Sequence, residues 1–513
     1  MTVRLGGRLS LDDVEAVARG ALVELPPDAV ERMRASREVV ERVVDEGRTV
    51  YGVTTGFGAL ADTRIEPNEA SDLQHRIVRS HATAVGPPLS REETRAMLLL
   101  RAHVLALGHS GVRPLVVERM VEMLNRDLIP SVPERGSLGA SGDLAPLACL
   151  ALPLVGEGEI ISADGSGPGP AAPALEAAGL PPLTLAAKEG LALVNGTQGM
   201  LAIGIVAAAR CARLLRSADA VAAMSIEALL GTDVPFEDPF PDLRPHPGVI
   251  ASSRNLRRML AGSPIVASHR LSPHLVQDAY SLRCVPQVHG AALDTLGHVA
   301  GVLHLEANSV TDNPVVVPEE GAVLSGGNFH GQPVAVALDA LALAVVGVAS
   351  IAERRLFRLL DPKLSNGLPP FLVANSGVNS GFMLAQYTAA SLVSESKTLA
   401  HPASVDSIPS SAGQEDHVSM GMTSARHARD IVANAELVVG LEALAAAQAL
   451  DLRSPPDPAA ATGAVRGVIR REVAFLSEDR DLRADIDVVV ALVREGRLIA
   501  AAEVAGAELA GVG

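Results

Sequence analysis

Three cysteines, three tyrosines and three lysines are all that 513 residues supply of each, and each shortage removes a class of chemistry. Cys149, Cys211 and Cys284 stand far apart, with no paired spacing. That argues against a disulfide framework or a thiolate zinc site and points to a reducing, cytoplasmic setting. Lys188, Lys363 and Lys397 have no recognisable setting for a pyridoxal-phosphate Schiff base. Positive charge is short too, with 43 Lys and Arg against 59 Asp and Glu and a formal net charge of -16. Nucleic acid and an anionic membrane surface would be repelled, so a small-molecule substrate is the expected partner. No Walker A loop, dinucleotide fingerprint, HExxH or metal-ligand cluster occurs among the 14 histidines. Neither a metal nor a dissociable organic cofactor is therefore expected.

Long unbroken apolar runs are also missing. One long uncharged stretch, Gly190 to Ala209, is interrupted by Asn195, Thr197, Gln198 and four glycines, and it reads as buried in protein rather than in a bilayer. The first twenty residues carry two aspartates and a glutamate where a signal peptide needs an apolar core, so no export is expected.

What the chain has in abundance is helix-forming sequence. Gly199–Leu230, Val334–Leu360 and Thr423–Leu452 are rich in Ala, Leu and Val and lack internal proline, each offering about eight helical turns. Residues 291–309 and 381–400 add two shorter helices. Apolar residues wrap most of each circumference, so these helices must pack into a bundle and against other subunits. Segments dense in Pro, Gly, Ser and Asp separate them, at 163–182, 233–248, 361–378, 402–420 and 454–459. The first 190 residues differ in texture, with shorter helical patterns and glycine-rich turns near 52–58, 136–142 and 156–168. The expectation is an all-α, mainly helical fold, with residues 1–190 as a smaller N-terminal domain and 191–513 as the long-helix domain.

Chemistry concentrates at Gly136-Ser-Leu-Gly-Ala-Ser-Gly-Asp143. One reading is a turn in which Asp143 or Ser141 caps the following helix. The chemical reading is self-cyclisation: the Gly142 nitrogen attacks the Ala140 carbonyl, and loss of two waters leaves Ser141 as an exocyclic methylene. Glycine permits the sharp turn, serine supplies a hydroxyl that can be eliminated, alanine is small, and Asp143 could serve as a local base. Two of the three tyrosines, Tyr51 in YGVTTGFG and Tyr280 in QDAYSLR, sit in polar or glycine-rich surroundings. Asn195 in NGTQG, Phe329 in SGGNFHG and Glu415 in GQEDH lie at similarly polar turns, where a rigid scaffold commonly presents binding groups.

Taken in order, YGVTTGFG, RSHATAVG, GSLGASGDLAPLA, EGLALVNGTQ, VQDAYSLRCVPQVHG, TDNPVV, GGNFHGQPVA, LPPFLV and HPASVDSIPSSAGQEDHVSMG resemble the ammonia-lyase family that uses a 4-methylidene-imidazol-5-one group, and within it the histidine branch. The resemblance runs from about Tyr51 to Met422, and the last 90 residues add no motif. It implies a fumarase/aspartase-like central bundle, a homotetramer with active sites shared between subunits, and conversion of L-histidine to trans-urocanate and ammonia. By position it makes Ala140, Ser141 and Gly142 the precursors of the group, with Asp143, Asn195 and Phe329 supporting it. Asn195 and Tyr280 would lie beside the electrophile, Arg283 would hold the substrate carboxylate, and Gln277 would be a further polar contact. Tyr51 would be the acid or base at the β-carbon, a task that requires its site to perturb a reference pKa of about 10.

Substrate choice is read at two places, Ser80-His81 and Glu415. Lyases for tyrosine and phenylalanine tend to carry apolar or His-Leu pairs at the first and Gln-Asp or Asn-Gln patterns at the second. An imidazole and a carboxylate can both bond the ring nitrogens of histidine, which a benzene ring could not repay. Gly413 departs from the larger residues often found before the Gln-Glu pair. A tyrosine or phenylalanine lyase, or an aminomutase on the same scaffold, is the alternative.

Overall fold

The computed structural model of the chain describes every residue except 57, 59–62, 66–68, 162–166, 272–275, 512 and 513. The glycine-rich turns expected near 52–58 and 156–168, and the loop at 163–182, thus lie partly outside the described residues. Twenty α-helices dominate, and the strands form only four two-stranded ribbons among the described residues. The fold is all-α in character, as the composition required.

The expected long helices appear as Gln198–Ala228, Gln332–Leu360 and Gly421–Arg453, with Met383–Leu399 and Val285–Ala307 as the shorter pair. The last begins six residues before its expected start and runs through Pro286, because proline in a first helical turn lacks only an N–H that would have had no partner there. Two of these helices, Gln198–Ala228 and Gln332–Leu360, are long and apolar enough to cross a membrane. Residues 190–208 are nonetheless buried throughout in protein.

Contacts divide the chain into two compact units, each assembled from three segments. The first comprises Met1–Val206, Ala300–Asp339 and Pro402–Arg426; the second comprises Ala207–Val299, Ala340–His401 and His427–Gly513. The boundary expected near Gly190 falls inside the first unit, within the helix Glu189–Val194. That helix packs against Ala70–His81 and Leu144–Ala151. Its approach to Ala70–His81 is so close that a Cβ at Gly190 would lie 2.4 Å from the Gln74 carbonyl oxygen. Gln74 Oε1 in turn accepts from the Gly190 and Leu191 N–H groups at 2.9 and 3.3 Å, satisfying donors that a helix start leaves bare. All four ribbons belong to this unit, pairing Thr2–Arg4 with Leu22–Glu24 in parallel and the other three antiparallel.

In the second unit the long helices are tied by buried charge. Arg355 donates to both carboxylate oxygens of Glu442 at 2.6 and 2.8 Å, and Ser225 Oγ donates to the same carboxylate at 2.6 Å. Asp219, buried on Gln198–Ala228, accepts from Ser252 and Asn255 at 2.8 and 2.9 Å and lies 2.8 Å from His289 Nδ1. Removing one partner from such a cluster leaves an uncompensated buried charge, at a cost of about 3–5 kcal/mol.

Candidate active site

The Ala140-Ser141-Gly142 turn lies between the strand Pro133–Arg135 and the helix Leu144–Ala151. Gly136, Gly139 and Gly142 adopt φ of 139°, 70° and 75°, a region costly for a residue with a Cβ. At Gly142 space is closed as well, because a Cβ would lie 2.1 Å from the Gly196 carbonyl oxygen. That oxygen accepts the Asp143 N–H at 2.7 Å. On the other side Ala140 is buried against Ala403, Val418 and Met420, and the Leu138 carbonyl accepts the Met420 N–H at 2.9 Å. The backbone of the tripeptide is clamped at both ends, while the side chain of its serine lines a cavity.

Asp143 is the residue immediately before the helix Leu144–Ala151 but its side chain makes no capping hydrogen bond, so it does not cap that helix through its side chain. Its carboxylate accepts instead from Ser137 Oγ at 2.9 Å and from the Met200 N–H at 2.8 Å. Burial pushes its pKa up to about 6, against the pull of those hydrogen bonds. The group is poised to exchange a proton near neutral pH, within reach of the turn.

The cavity has a volume of about 280 Å³ and is lined by Tyr51, His81, Ser141, Asn195 and Glu415, together with Leu144, Leu191, Asn313, Gly58 and Ser411. Five of the residues singled out in the sequence meet there. His81 ends the helix Ala70–His81, and its Nδ1 lies 2.8 Å from the Ile77 carbonyl. A carbonyl cannot donate, so Nδ1 carries the proton and Nε2 is the acceptor of the neutral ring. Glu415 is held by Ser410, whose Oγ donates to Oε2 at 2.7 Å, and the Ser141 hydroxyl donates to Oε1 at 3.4 Å. The loop returns Glu415 onto Ser410 through three successive residues of positive φ, Ser411, Ala412 and Gly413. The last of them explains why a glycine suits position 413. Tyr51 is half-buried, and its hydroxyl accepts the Gly58 N–H at 3.4 Å. Asn195 is 2% exposed and ends the helix Glu189–Val194.

The other site candidates are not among the residues lining this cavity. Tyr280, Gln277 and Arg283 belong to the second unit. Tyr280 is 72% exposed, with the Arg283 guanidinium over its ring at 4.5 Å, and Gln277 is exposed. Phe329 is half-buried in the first unit. No group of three or more metal-ligating side chains occurs among the described residues. Sequence reasoning missed Asn313 and the pair beneath it, Lys188 and Asp312. The signal for the pair was a single lysine immediately before the short helix EGLALV.

Comparison with known proteins agrees over nearly the whole chain. The family model described as aromatic amino acid lyase matches residues 9–471. A histidine ammonia-lyase of Anaeromyxobacter sp. (strain K) is 53% identical over 96% of this chain and 98% of its own. That of Symbiobacterium thermophilum is 54% identical, over 98% of each. Among solved structures, histidine ammonia-lyase from Trypanosoma cruzi superimposes with a TM-score of 0.91 at 42% identity, over 100% of this chain and 97% of that one. Tyrosine aminomutase from Streptomyces globisporus gives the same TM-score of 0.91 at 38% identity, over 98% of each chain. Backbone shape is thus shared across enzymes of different substrates, and it is the clamped Ala-Ser-Gly turn on this backbone, matched along nearly its full length, that fits the remaining observation: the chain belongs to the aromatic amino acid lyase family.

Proposed function

We propose that this chain is an ammonia-lyase of the cytoplasm that converts L-histidine to trans-urocanate and ammonia. One observation carries the reading: the serine of a clamped Ala-Ser-Gly turn opens into the same cavity as His81 and Glu415. The residues fit the prosthetic group that the family implies, since Gly142 admits no side chain, Ala140 is packed, and Asp143 can take up a proton near neutrality. Formed from Ala140, Ser141 and Gly142, the 4-methylidene-imidazol-5-one group would supply an electrophile that turns ammonia into a workable leaving group.

The chain's own residues supply the remainder. His81 Nε2 accepts a ring N–H of the substrate imidazole, and the Glu415 carboxylate favours the charged or donating ring. A benzene ring entering the cavity offers no hydrogen bond to either side chain, which is the basis for discrimination. Tyr51, on a glycine-rich turn and lining the cavity, moves the β-proton in this reading. The test is to supply L-histidine, L-tyrosine and L-phenylalanine separately and measure ammonia and the unsaturated acid. Urocanate is expected as the dominant product, and a preference for tyrosine would reassign the substrate.

Assembly completes the site in this reading. The helices Gln332–Leu360 and Met383–Leu399 expose Val336, Leu343, Phe357, Leu384 and Tyr387, more apolar side chain than solvent favours along a helix. A dihedral homotetramer would cover them and bring Tyr280, Gln277 and Arg283 of partner subunits to the cavity, Arg283 as the fork for the substrate carboxylate and Tyr280 and Phe329 near the electrophile. Mixing inactive Tyr51→Phe and Tyr280→Phe subunits after mild dissociation is then expected to restore part of the activity through hybrid sites. Activity no greater than the sum of the two parents would contradict sharing.

A further inference from the structure

Lys188 and Asp312 form a wholly buried ion pair, Nζ to Oδ2 at 2.7 Å, and neither is among the residues lining the cavity. Such a pair is weak evidence for stability, since desolvation offsets much of the attraction. Burial draws the Lys188 ammonium below its ordinary range, against the opposing pull of Asp312. Lys188 also holds its backbone at φ 69°, a left-handed conformation that residues with a Cβ avoid. Two unfavourable features at one residue, outside the cavity, call for a function elsewhere.

Connectivity supplies one. Lys188 stands at the start of the helix Glu189–Val194 and Asn195 at its end, and both are bound to the same dipeptide. Lys188 donates to Asp312, while Asn195 Nδ2 donates to the Asn313 carbonyl at 2.8 Å and to Asp312 Oδ1 at 3.3 Å. The Asn313 N–H also donates to Asp312 Oδ1, at 2.7 Å. A backbone carbonyl accepts only, and so does a carboxylate paired with an ammonium, so turning the Asn195 amide over would set oxygen against oxygen. Its NH₂ therefore faces Asn313, and Oδ1 is fixed on the opposite side. There it is buried with no hydrogen-bond partner among the described residues, in a side chain that lines the cavity. A buried acceptor without a donor is costly and marks a place where a ligand supplies one.

We infer that Lys188 and Asp312 are positioning residues that lock Asn195 as a pure acceptor, and that the donor it receives is the substrate's α-ammonium. The ammonium is the group of an amino acid that carries donors alone. A carboxylate would meet Oδ1 as acceptor against acceptor, and the ring donor is engaged at His81. The inference rests on the proposed reading of the cavity as the amino-acid site.

Two probes separate the groups: L-histidinol keeps ammonium and imidazole without the carboxylate, and imidazolepropionate keeps imidazole and carboxylate without the amine. In Asp312→Asn the retained Lys188 draws the new amide oxygen to itself, which turns the NH₂ toward Asn195 and the Asn313 N–H and breaks the lock. Adding Lys188→Met lets that oxygen turn back. Calorimetry on the intact enzyme is expected to find L-histidinol weakened about tenfold or more by Asp312→Asn, imidazolepropionate within about twofold, and most of the loss recovered in the double variant. Asn195→Ala leaves the ion pair intact and gives the same selective loss, which keeps the test sound if Asp312→Asn does not fold. Equal weakening of both probes, or undiminished L-histidinol binding in Asn195→Ala, would overturn the inference. A wild type that binds neither probe and releases no ammonia from L-histidine would instead overturn the reading of the cavity.

Discussion

Ser141→Ala is expected to yield a folded protein that keeps its full mass, whereas the wild-type peptide spanning Ala140 to Gly142 is lighter by two waters, about 36 Da. The Ser141 hydroxyl is the only eliminable group in the tripeptide, whose backbone already has the required shape, with Gly142 at φ 75° and no room for a Cβ. Loss of the electrophile is expected to lower kcat roughly 10³-fold or more, which is about 4 kcal/mol of barrier. An unmodified wild-type peptide with full activity would refute the scheme. Asp143 enters through its pKa, raised to about 6 from 3.8 chiefly by burial. A carboxyl whose folded pKa lies above its unfolded value contributes stability below the unfolded value and loses it as pH rises through the folded one. At pH 7.5 the fold therefore bears a charged, buried Asp143 at a cost of about 3 kcal/mol. In the Ser141→Ala background, where neither protein can mature, Asp143→Asn is expected to raise stability at pH 7.5 and to make no difference near pH 4. An asparagine can still accept from the Met200 N–H and donate to Ser137. In the Ser141 background the same change is expected to slow loss of the two waters. Urea denaturation at the two pH values and intact mass over time check the two halves of this trade.

Local pattern carried far in this chain and long-range contact did not. The helices Gln198–Ala228, Gln332–Leu360 and Gly421–Arg453 were legible because apolar sequence of that length, free of proline beyond the first turn, has no competing structure. The ribbons were not, since strands of three or four residues such as Thr2–Arg4 or Val85–Pro88 leave no alternation to read. The compact units were also hidden, each being assembled from three separated segments. Tyr51, His81, Ser141, Asn195 and Glu415 were all found in advance, yet that Ser141 and Glu415 touch across 274 positions is a fact of folding alone. Lys188 and Asp312 escaped because they are 124 positions apart and are defined by each other. An isolated lysine ordinarily means a solvated surface.

The substrate assignment makes the other large prediction, that His81→Leu will cripple turnover of L-histidine without disturbing formation of the prosthetic group. His81 Nδ1 is committed to the Ile77 carbonyl at 2.8 Å, so the ring is oriented by its own helix and presents Nε2 as acceptor. Leucine removes that acceptor and leaves a substrate ring N–H without its partner in the cavity, a loss of about 1–3 kcal/mol, or roughly ten- to a hundred-fold in kcat/KM. The apolar wall it creates no longer penalises a benzene ring, so slow release of ammonia from phenylalanine or tyrosine is the expected companion. Glu415→Gln separates shape from charge. Ser410 Oγ can still hold the amide where it held Oε2 at 2.7 Å, so the loop is kept and only the carboxylate is lost. Its effect on kcat/KM is expected to reach at least the same size, because a hydrogen bond to a charged partner is worth about twice a neutral one. The double variant is expected to fall short of the product of the two losses, since both side chains grip one ring and cannot each lose it. The mass deficit of two waters must persist in all three variants for the effect to belong to substrate recognition. Histidine kinetics unchanged in both single variants would place the imidazole elsewhere, even with the electrophile in hand.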